Sequence, residues 1–301
     1  MSTVKNYLSL IKFSHTIFAM PFAIIGFFLG VQQYGYVQSP NETYTTNTAS
    51  YFKEHWWIFL LVLVCMITAR SAAMAFNRYL DRHFDAKNPR TAIREIPAGI
   101  ITEKSALYFT IAMCVLFVLS TYFINRICFY LSPVALFVIL FYSYTKRFTY
   151  LCHLVLGIGL SLAPIGAYLA VIGVFAWLPI LFSIAVVCWV SGFDIIFALQ
   201  DEAFDKSQAL YSIPAVVGKA KALQVSTFLH VVSAAAVVYA GVYGAFGWWY
   251  WLGVAVFIGM LIYQHAIVKP NDLSRVNIAF MTANGIASVV FAVFVLLDLF
   301  L

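Results

Sequence analysis

What most constrains this chain is a succession of long, unbroken apolar runs. Each is about 20 residues long, the length a helix needs to cross the hydrocarbon core of a bilayer. Nine can be counted: Phe13–Val31, Trp56–Phe76, Ala106–Ile124, Ile127–Tyr144, Leu151–Ile172, Trp177–Phe197, Val225–Val242, Trp248–Val268 and Val276–Phe300. They are continuous rather than alternating, which argues against a lipid-embedded β-barrel and for helices. Hydrophobic residues make up 63% of the 301 residues and charged ones 10%, where soluble domains carry about 25% charge. A soluble globule could not cover that much apolar surface, and a disordered chain would be charge-rich and poor in aromatics. No long polar block interrupts the runs. The expected architecture is therefore an all-α membrane protein, a single polytopic domain over residues 1–301. The first run is too long, and lacks the small-residue cleavage site, for a removable leader.

The placement of charge says more than the net value of +6. If every run spans, fifteen of the eighteen basic residues fall in loops on one side, from Lys5 and Lys12 to Lys269 and Arg275. The other side holds only Lys53 and Arg126, and Arg70 lies inside a run. Basic loops stay in the cytoplasm, so the N-terminus is expected to be cytoplasmic. This pattern explains the positive charge without a nucleic-acid partner. Trp56, Trp57, Trp177, Trp248, Trp249 and Trp251 sit at run ends, as an interfacial aromatic belt requires. The five cysteines show no metal or redox spacing. The triplet Asn41-Glu42-Thr43, on the opposite side, matches a glycosylation sequon that chance readily supplies.

The acidic residues concentrate in two places. Asn77, Asp81 and Asp85 recur every four residues at the end of the second run, and Asp194, Asp201 and Asp205 close the sixth. On a helix, spacings of four, seven and eight return to one face, so two polar stripes are expected. Asp201 and Asp205 follow Asp81 and Asp85 by 120 residues, and each stripe precedes an Ile-Pro step and a glycine (Ile96-Pro97 with Gly99; Ile213-Pro214 with Gly218). The chain thus reads as two diverged four-helix halves plus one helix.

Clustered carboxylates near a bilayer repel one another unless a cation lies between them. An all-oxygen set suits Mg²⁺, which prefers one or two carboxylates together with substrate phosphates. Arg82, Lys87, Arg90, Arg94, Lys146 and Arg147 stand in the same loops. Acid, base and a divalent metal together match the needs of a diphosphate. Asp194 interrupts an apolar run, and an intramembrane carboxylate is a functional candidate by default. Arg70, seven residues before Asn77, shares its face; a guanidinium there suits the carboxylate of a small acid, or alternatively a structural partner such as Asp194.

These residues resemble a known family. The string from Asn77 through Asp81, Asp85 and Asn88-Pro-Arg90-Thr91 to Arg94 is similar to the first signature of the UbiA-type intramembrane prenyltransferases. Asp194-Ile-Ile-Phe-Ala-Leu-Gln-Asp201, continued to Asp205, is similar to the second. The stretch from Lys12 to Ala23 and the segment Tyr142-Ser-Tyr-Thr-Lys146-Arg147 resemble its 4-hydroxybenzoate polyprenyltransferase branch. The resemblance implies transfer of a polyprenyl group from an allylic diphosphate to an aromatic acid, with Mg²⁺, in a bacterial plasma membrane and with the site facing the cytoplasm. It implies that Asn77, Asp81, Asp85, Asp201 and Asp205 hold the metal–diphosphate unit. Arg90, Arg94, Tyr142, Lys146 and Arg147 would contact diphosphate, Arg70 the acceptor, and Asp194 and Arg82 would be catalytic. Where ubiquinone-type members read Arg-Pro-Leu, this chain reads Arg94-Glu95-Ile96-Pro97, which is closer to members linked to menaquinone by the futalosine route. Haem farnesylation or dihydroxynaphthoate prenylation fits the motifs less well. An anionic-solute transporter is the alternative of a different class, but its charges belong at the midplane, not at one mouth.

Overall fold

The structure, a computed structural model, describes residues 3–12, 18–38 and 48–301. The sequon at Asn41 and the start of the first apolar run at Phe13 lie outside them. Among the described residues every named element is helical: α1 (Thr3–Leu10), α2 (Met20–Gln38), α3 (Thr48–Lys87), α4 (Glu103–Ile124), α5 (Arg126–Thr145) and α6 (Cys152–Ile172). They are followed by α7 (Trp177–Ala198), α8 (Glu202–Ser207), α9 (Ile213–Val217), α10 (Lys219–Tyr243), α11 (Trp248–Ile267) and α12 (Asn284–Phe300). Eight helices are long and apolar enough to cross a membrane, and the shorter apolar stretch Met20–Tyr34 matches the remaining expected run.

Local chemistry places the helix ends. Thr102 caps α4 by accepting from Ser105 N at 3.2 Å. Asn125 ends α4 and starts α5: its Oδ1 accepts from Cys128 N, while its Nδ2 donates to Leu169 O and Ala170 O at the end of α6. One side chain thus satisfies backbone groups at two helix ends, the start of α5 and the end of α6. At 1.5 Å per residue, the 40 residues of α3 are about 60 Å long, twice the hydrocarbon core. Even past its kink at His55, α3 overshoots, and the overshoot carries Asn77, Asp81 and Asp85 beyond one end of the bundle.

Packing closes a circuit: α2 lies against α6, α6 against α7, α7 against α10, and α11 and α12 return to α2. The remaining three, α3, α4 and α5, pack together and join through α5 to α6. Contacts within the circuit are close because small residues permit them. A Cβ on Gly26 of α2 would strike the Pro164 carbonyl of α6, and one on Gly157 of α6 would strike Val187 O and Ser191 Oγ of α7. The largest buried cluster sits inside the circuit around Phe22, Phe182, Trp189, Phe257 and Phe291. Trp189 Nε1 and Gln264 Nε2 both donate to Asn284 Oδ1 at 2.8 Å. The Asn284 amide in turn donates to Ala279 O and Phe280 O, carbonyls within the π-helical turn at Ile278–Ala283. Polar satisfaction of this kind is obligatory where no water reaches.

The second stripe does not ride one helix as the spacing implied. The helix α7 stops at Ala198 and tightens into a 3₁₀ turn, Leu199–Asp201, before α8 resumes. The turn rotates Asp205 out of line with Asp194.

Candidate active site at the acidic end of the bundle

Both acidic motifs border one cavity of about 640 Å³. Asn77, Asp81 and Asp85 come from α3, Tyr142 and Lys146 from the end of α5, and Asp194 and Asp201 from the end of α7. Arg70 lies two turns deeper on the same face of α3 as Asn77 and also lines it. Phe193, Phe197 and Phe280 form an apolar wall; their rings meet edge-on or tilted at 4.2–5.5 Å between centroids. A second cavity of about 450 Å³ lies at the opposite end. Its one carboxylate, Asp298, is occupied with the amides of Gly247 and Tyr250, so no comparable constellation forms there.

Each carboxylate of the metal-type motifs holds a cation. Arg147 reaches Asp81 Oδ1 at 2.8 Å, and Asn77 Nδ2 donates to the other oxygen at 3.0 Å. Arg94 reaches Asp85 Oδ1 at 2.6 Å. Arg90 grips Asp201 with Nε at 3.1 Å and Nη2 at 2.5 Å, and Asn88 adds a third donor at 3.3 Å. Lys146 stands 2.6 Å from Asp205 Oδ1, an ion pair without hydrogen-bond alignment, while Ser212 donates to Oδ2 at 2.8 Å. Lys146 lies just past α5. Burial opposes its charge, but Asp205 beside it more than offsets that, and its pKa is raised. The bases reach across the bundle: Arg90 follows the first stripe yet binds the second.

The polar atoms left over suit a charged guest. Asp85 Oδ2 is buried without a hydrogen bond, with Arg78 3.9 Å away. Arg70 Nε is likewise buried and unpartnered. Among the described residues no three His, Cys, Asp or Glu side chains converge as a closed metal cage. The donors are oxygens, in reach of bases but not closed on a centre, and that set fits Mg²⁺ shared with a diphosphate.

Of the residues expected from sequence, Asn77, Asp81, Asp85, Asp194, Asp201, Arg70, Arg90, Arg94, Tyr142, Lys146 and Arg147 all border the cavity. Asp205 does not; it is fully buried behind the turn, against Lys146 and Ser212. Arg82 does not either. One residue past Asp81 is about 100° round the helix, and Arg82 pairs with Glu103 of α4 at 2.9 Å and covers the Tyr79 ring. Arg70 makes no bond to Asp194; that carboxylate is bound by His153, whose Nδ1 lies 2.7 Å from Asp194 Oδ2. Sequence reasoning missed His153, Asn88, Arg78 and Ser212. Asn88 and Arg78 lie inside the first signature string, but no site role was drawn for them; His153 carries no such signal, being a lone histidine at the start of an apolar run.

A helical membrane bundle with paired acidic motifs at one end is the architecture of an intramembrane transferase, and the chain belongs to the UbiA prenyltransferase family, whose model matches residues 47–286. Among its relatives is a 4-hydroxybenzoate octaprenyltransferase of Nitrosomonas europaea, 30% identical over 243 residues, 81% of this chain and 83% of that one. A 4-hydroxybenzoate octaprenyltransferase of Francisella tularensis subsp. mediasiatica is 25% identical over 79% of this chain and 83% of that one. The apo structure of a UbiA homolog from Aeropyrum pernix K1 superposes with a TM-score of 0.75 at 26% identity, over 94% of this chain and 96% of that one. A UbiA homolog from Archaeoglobus fulgidus bound to GPP and Mg²⁺ shares the fold with a TM-score of 0.70 at 18% identity, over 98% and 100%. The protein is thus an integral membrane prenyltransferase of the 4-hydroxybenzoate polyprenyltransferase-like kind.

Proposed function

We propose that the chain transfers a polyprenyl group from an allylic polyprenyl diphosphate to an aromatic acid of the 4-hydroxybenzoate kind, releasing diphosphate. The observation that carries this reading is the cross-paired ring of acids and bases around the cavity, with an unpartnered guanidinium deeper on the same wall. Such a ring is poised to open around a guest that carries both a cation and an anion. Arg90, Arg94, Lys146 and Arg147 exchange their carboxylates for phosphate oxygens, aided by Tyr142. Asp81, Asp85 and Asp201, with Asn77 beside them on the cavity wall and Asp205 behind, would hold Mg²⁺. The chemistry such an ion would supply is positive charge toward the departing diphosphate. Arg70 takes the carboxylate of the acceptor, and its planar fork sets the ring's orientation. The Phe193, Phe197 and Phe280 wall excludes water and faces the allylic cation with π-electron density. An electron-rich ring carbon ortho to the phenol attacks, and Asp194 receives the proton the ring loses.

The same reading comprises nine spans in one domain over residues 1–301, with the N-terminus and the cavity mouth in the cytoplasm. The family match at 47–286, the apolar helix at Met20–Tyr34 and the one-sided basic loops support it. Glu95 stands where ubiquinone-type members carry proline. Its side chain is buried and accepts from Ser9 Oγ at 2.5 Å, tying α1 to the loop of Arg90 and Arg94. That local difference favours, as a second reading, an aromatic acid of the futalosine route. The test incubates membranes containing the protein with Mg²⁺, an allylic diphosphate and a panel of one- and two-ring aromatic acids, and weighs the products. A prenylated one-ring phenolic acid is expected. A prenylated two-ring acid alone selects the second reading, and no product from any acid overturns both.

A further inference from the structure

Asp194 stands apart from the other aspartates of the two motifs. Asp81, Asp85, Asp201 and Asp205 each pair with an arginine or lysine. Among the described residues Asp194 has no such partner, only His153. The imidazole comes from the first turn of α6 and is 3% exposed. The amide N–H of Ile213 points at its Nε2 from 3.4 Å, making Nε2 an acceptor. The ring hydrogen therefore sits on Nδ1 and is donated to Asp194 Oδ2 at 2.7 Å. The other oxygen, Oδ1, receives no hydrogen bond from the described residues, and the Asp194 side chain keeps 24% of its surface open toward the cavity. One oxygen is thus held from behind and the other left free in front.

The frame around this pair is rigid. Ser191 Oγ, one turn before Asp194, donates to His153 O at 3.1 Å and to Val187 O at 2.6 Å. Gly157, one turn after His153, has no room for a side chain against α7. The two helices are therefore fixed in register where they present imidazole and carboxylate to each other. The segment that meets His153 Nε2 also touches the metal-type cluster, since Ser212 donates to Asp205 Oδ2 and Ile213 follows it.

We propose that His153 is the positioning residue of Asp194, holding its carboxylate aimed at the acceptor ring and so reserving it for proton transfer rather than metal binding. This rests on the prenyl-transfer reading above. In the step, the allylic C–O bond breaks and its electron pair leaves with diphosphate. A ring π pair forms the new C–C bond. The C–H bond at that carbon then breaks, its pair restores aromaticity, and the proton goes to Asp194 Oδ1. Water at the cavity mouth takes that proton away and returns Asp194 to the carboxylate.

The test compares purified wild type, His153→Leu and His153→Asn. Asparagine places an N–H donor near the position of Nδ1, whereas leucine supplies none. Each is measured for kcat and KM with both substrates, for the isotope effect with ring-deuterated acceptor, and for Mg²⁺-dependent binding of a non-ionisable thio-analogue of the prenyl diphosphate. For H153L a fall in kcat of roughly 10²-fold is expected, with the ring-deuterium isotope effect increased and analogue binding within about twofold of wild type, because ring-proton loss alone is slowed. H153N is expected to recover most of kcat. Wild-type turnover in H153L, loss of analogue binding in a folded H153L, or an isotope effect unchanged in both variants overturns the proposal. If H153L does not fold, H153N decides: near-wild-type kcat supports the proposal, and a fall as deep as that expected for H153L overturns it. Absence of product from the wild type overturns the underlying reading instead, so the two failures are told apart.

Discussion

The two acidic stripes are related by 120 residues, yet they are built differently. The first lies on α3, unbroken to Lys87, so Asn77, Asp81 and Asp85 stay in line. The second is cut by the 3₁₀ turn at Leu199–Asp201. Moving back by 120, Asp201 and Asp205 land on Asp81 and Asp85, but Asp194 lands on Met74 and Phe197 on Asn77. All four of these unmatched positions line the cavity. The halves therefore share the paired aspartates that suit a metal and differ in what stands one or two turns deeper. One half supplies a carboxylate and a ring there, and the other a thioether and an amide. On the proposed reaction, the paired aspartates suit the Mg²⁺–diphosphate unit, and Asp194 with Phe197, present in one half only, suit an acceptor that sits on one side.

If the shared aspartates are equivalent, removing either should be equally severe. We expect Asp81→Ala and Asp201→Ala each to lower prenyl transfer by about 10³-fold or more, with the protein still folded in the membrane and Mg²⁺-dependent diphosphate binding lost. Normal transfer by either variant in Mg²⁺ would break the equivalence and the metal assignment with it. Asp194→Asn should separate from that pair. A loss of about 10²- to 10³-fold in kcat is expected, while diphosphate binding stays. If D194N lost binding as D81A does, Asp194 would belong to the metal set after all. Arg90 tests the bridge between the halves. Arg90→Lys keeps the charge but removes the two-pronged grip on Asp201; a rise in KM for the prenyl diphosphate of roughly tenfold is expected, with a small change in KM for the acceptor.

The parts of this arrangement that follow from local geometry were legible in the sequence. Apolar length marks spans because the bilayer sets one length for all of them, and eight of the expected runs coincide with long apolar helices. Four-residue spacing marks the first stripe because α3 is one helix. The break in the second stripe was not legible. Ala198-Leu199-Gln200-Asp201-Glu202-Ala203 contains no glycine or proline, and each residue accepts a helix, so only tertiary packing selects the turn. Nor were the ion pairs across the bundle legible. Arg90 and Asp201 are 111 positions apart, and His153 and Asp194 are 41 apart on facing helices. Which base meets which acid depends on how α3, α6 and α7 dock, and no spacing records that.

Arg82 gives the smallest expected effect and the sharpest check on how far motif membership implies function. It sits inside the first signature between Asp81 and His83, and by resemblance alone it counts as catalytic. Its guanidinium turns instead to α4, where it meets Glu103 with 21% and 52% of the two side chains exposed. A pair this open to solvent contributes at most about 1 kcal/mol, and neither partner borders the cavity. Arg82→Ala should therefore leave kcat and both KM values within about twofold and lower the melting temperature slightly. The two aspartates that flank it in the motif, Asp81 and Asp85, face the cavity because four residues make about one turn, whereas a one-residue offset carries a side chain to a different face. A loss of turnover in R82A comparable to that of D81A would mean that the helix face seen here is not the one that acts, and the contrast between the two stripes would then have to be redrawn with α4 as part of the site.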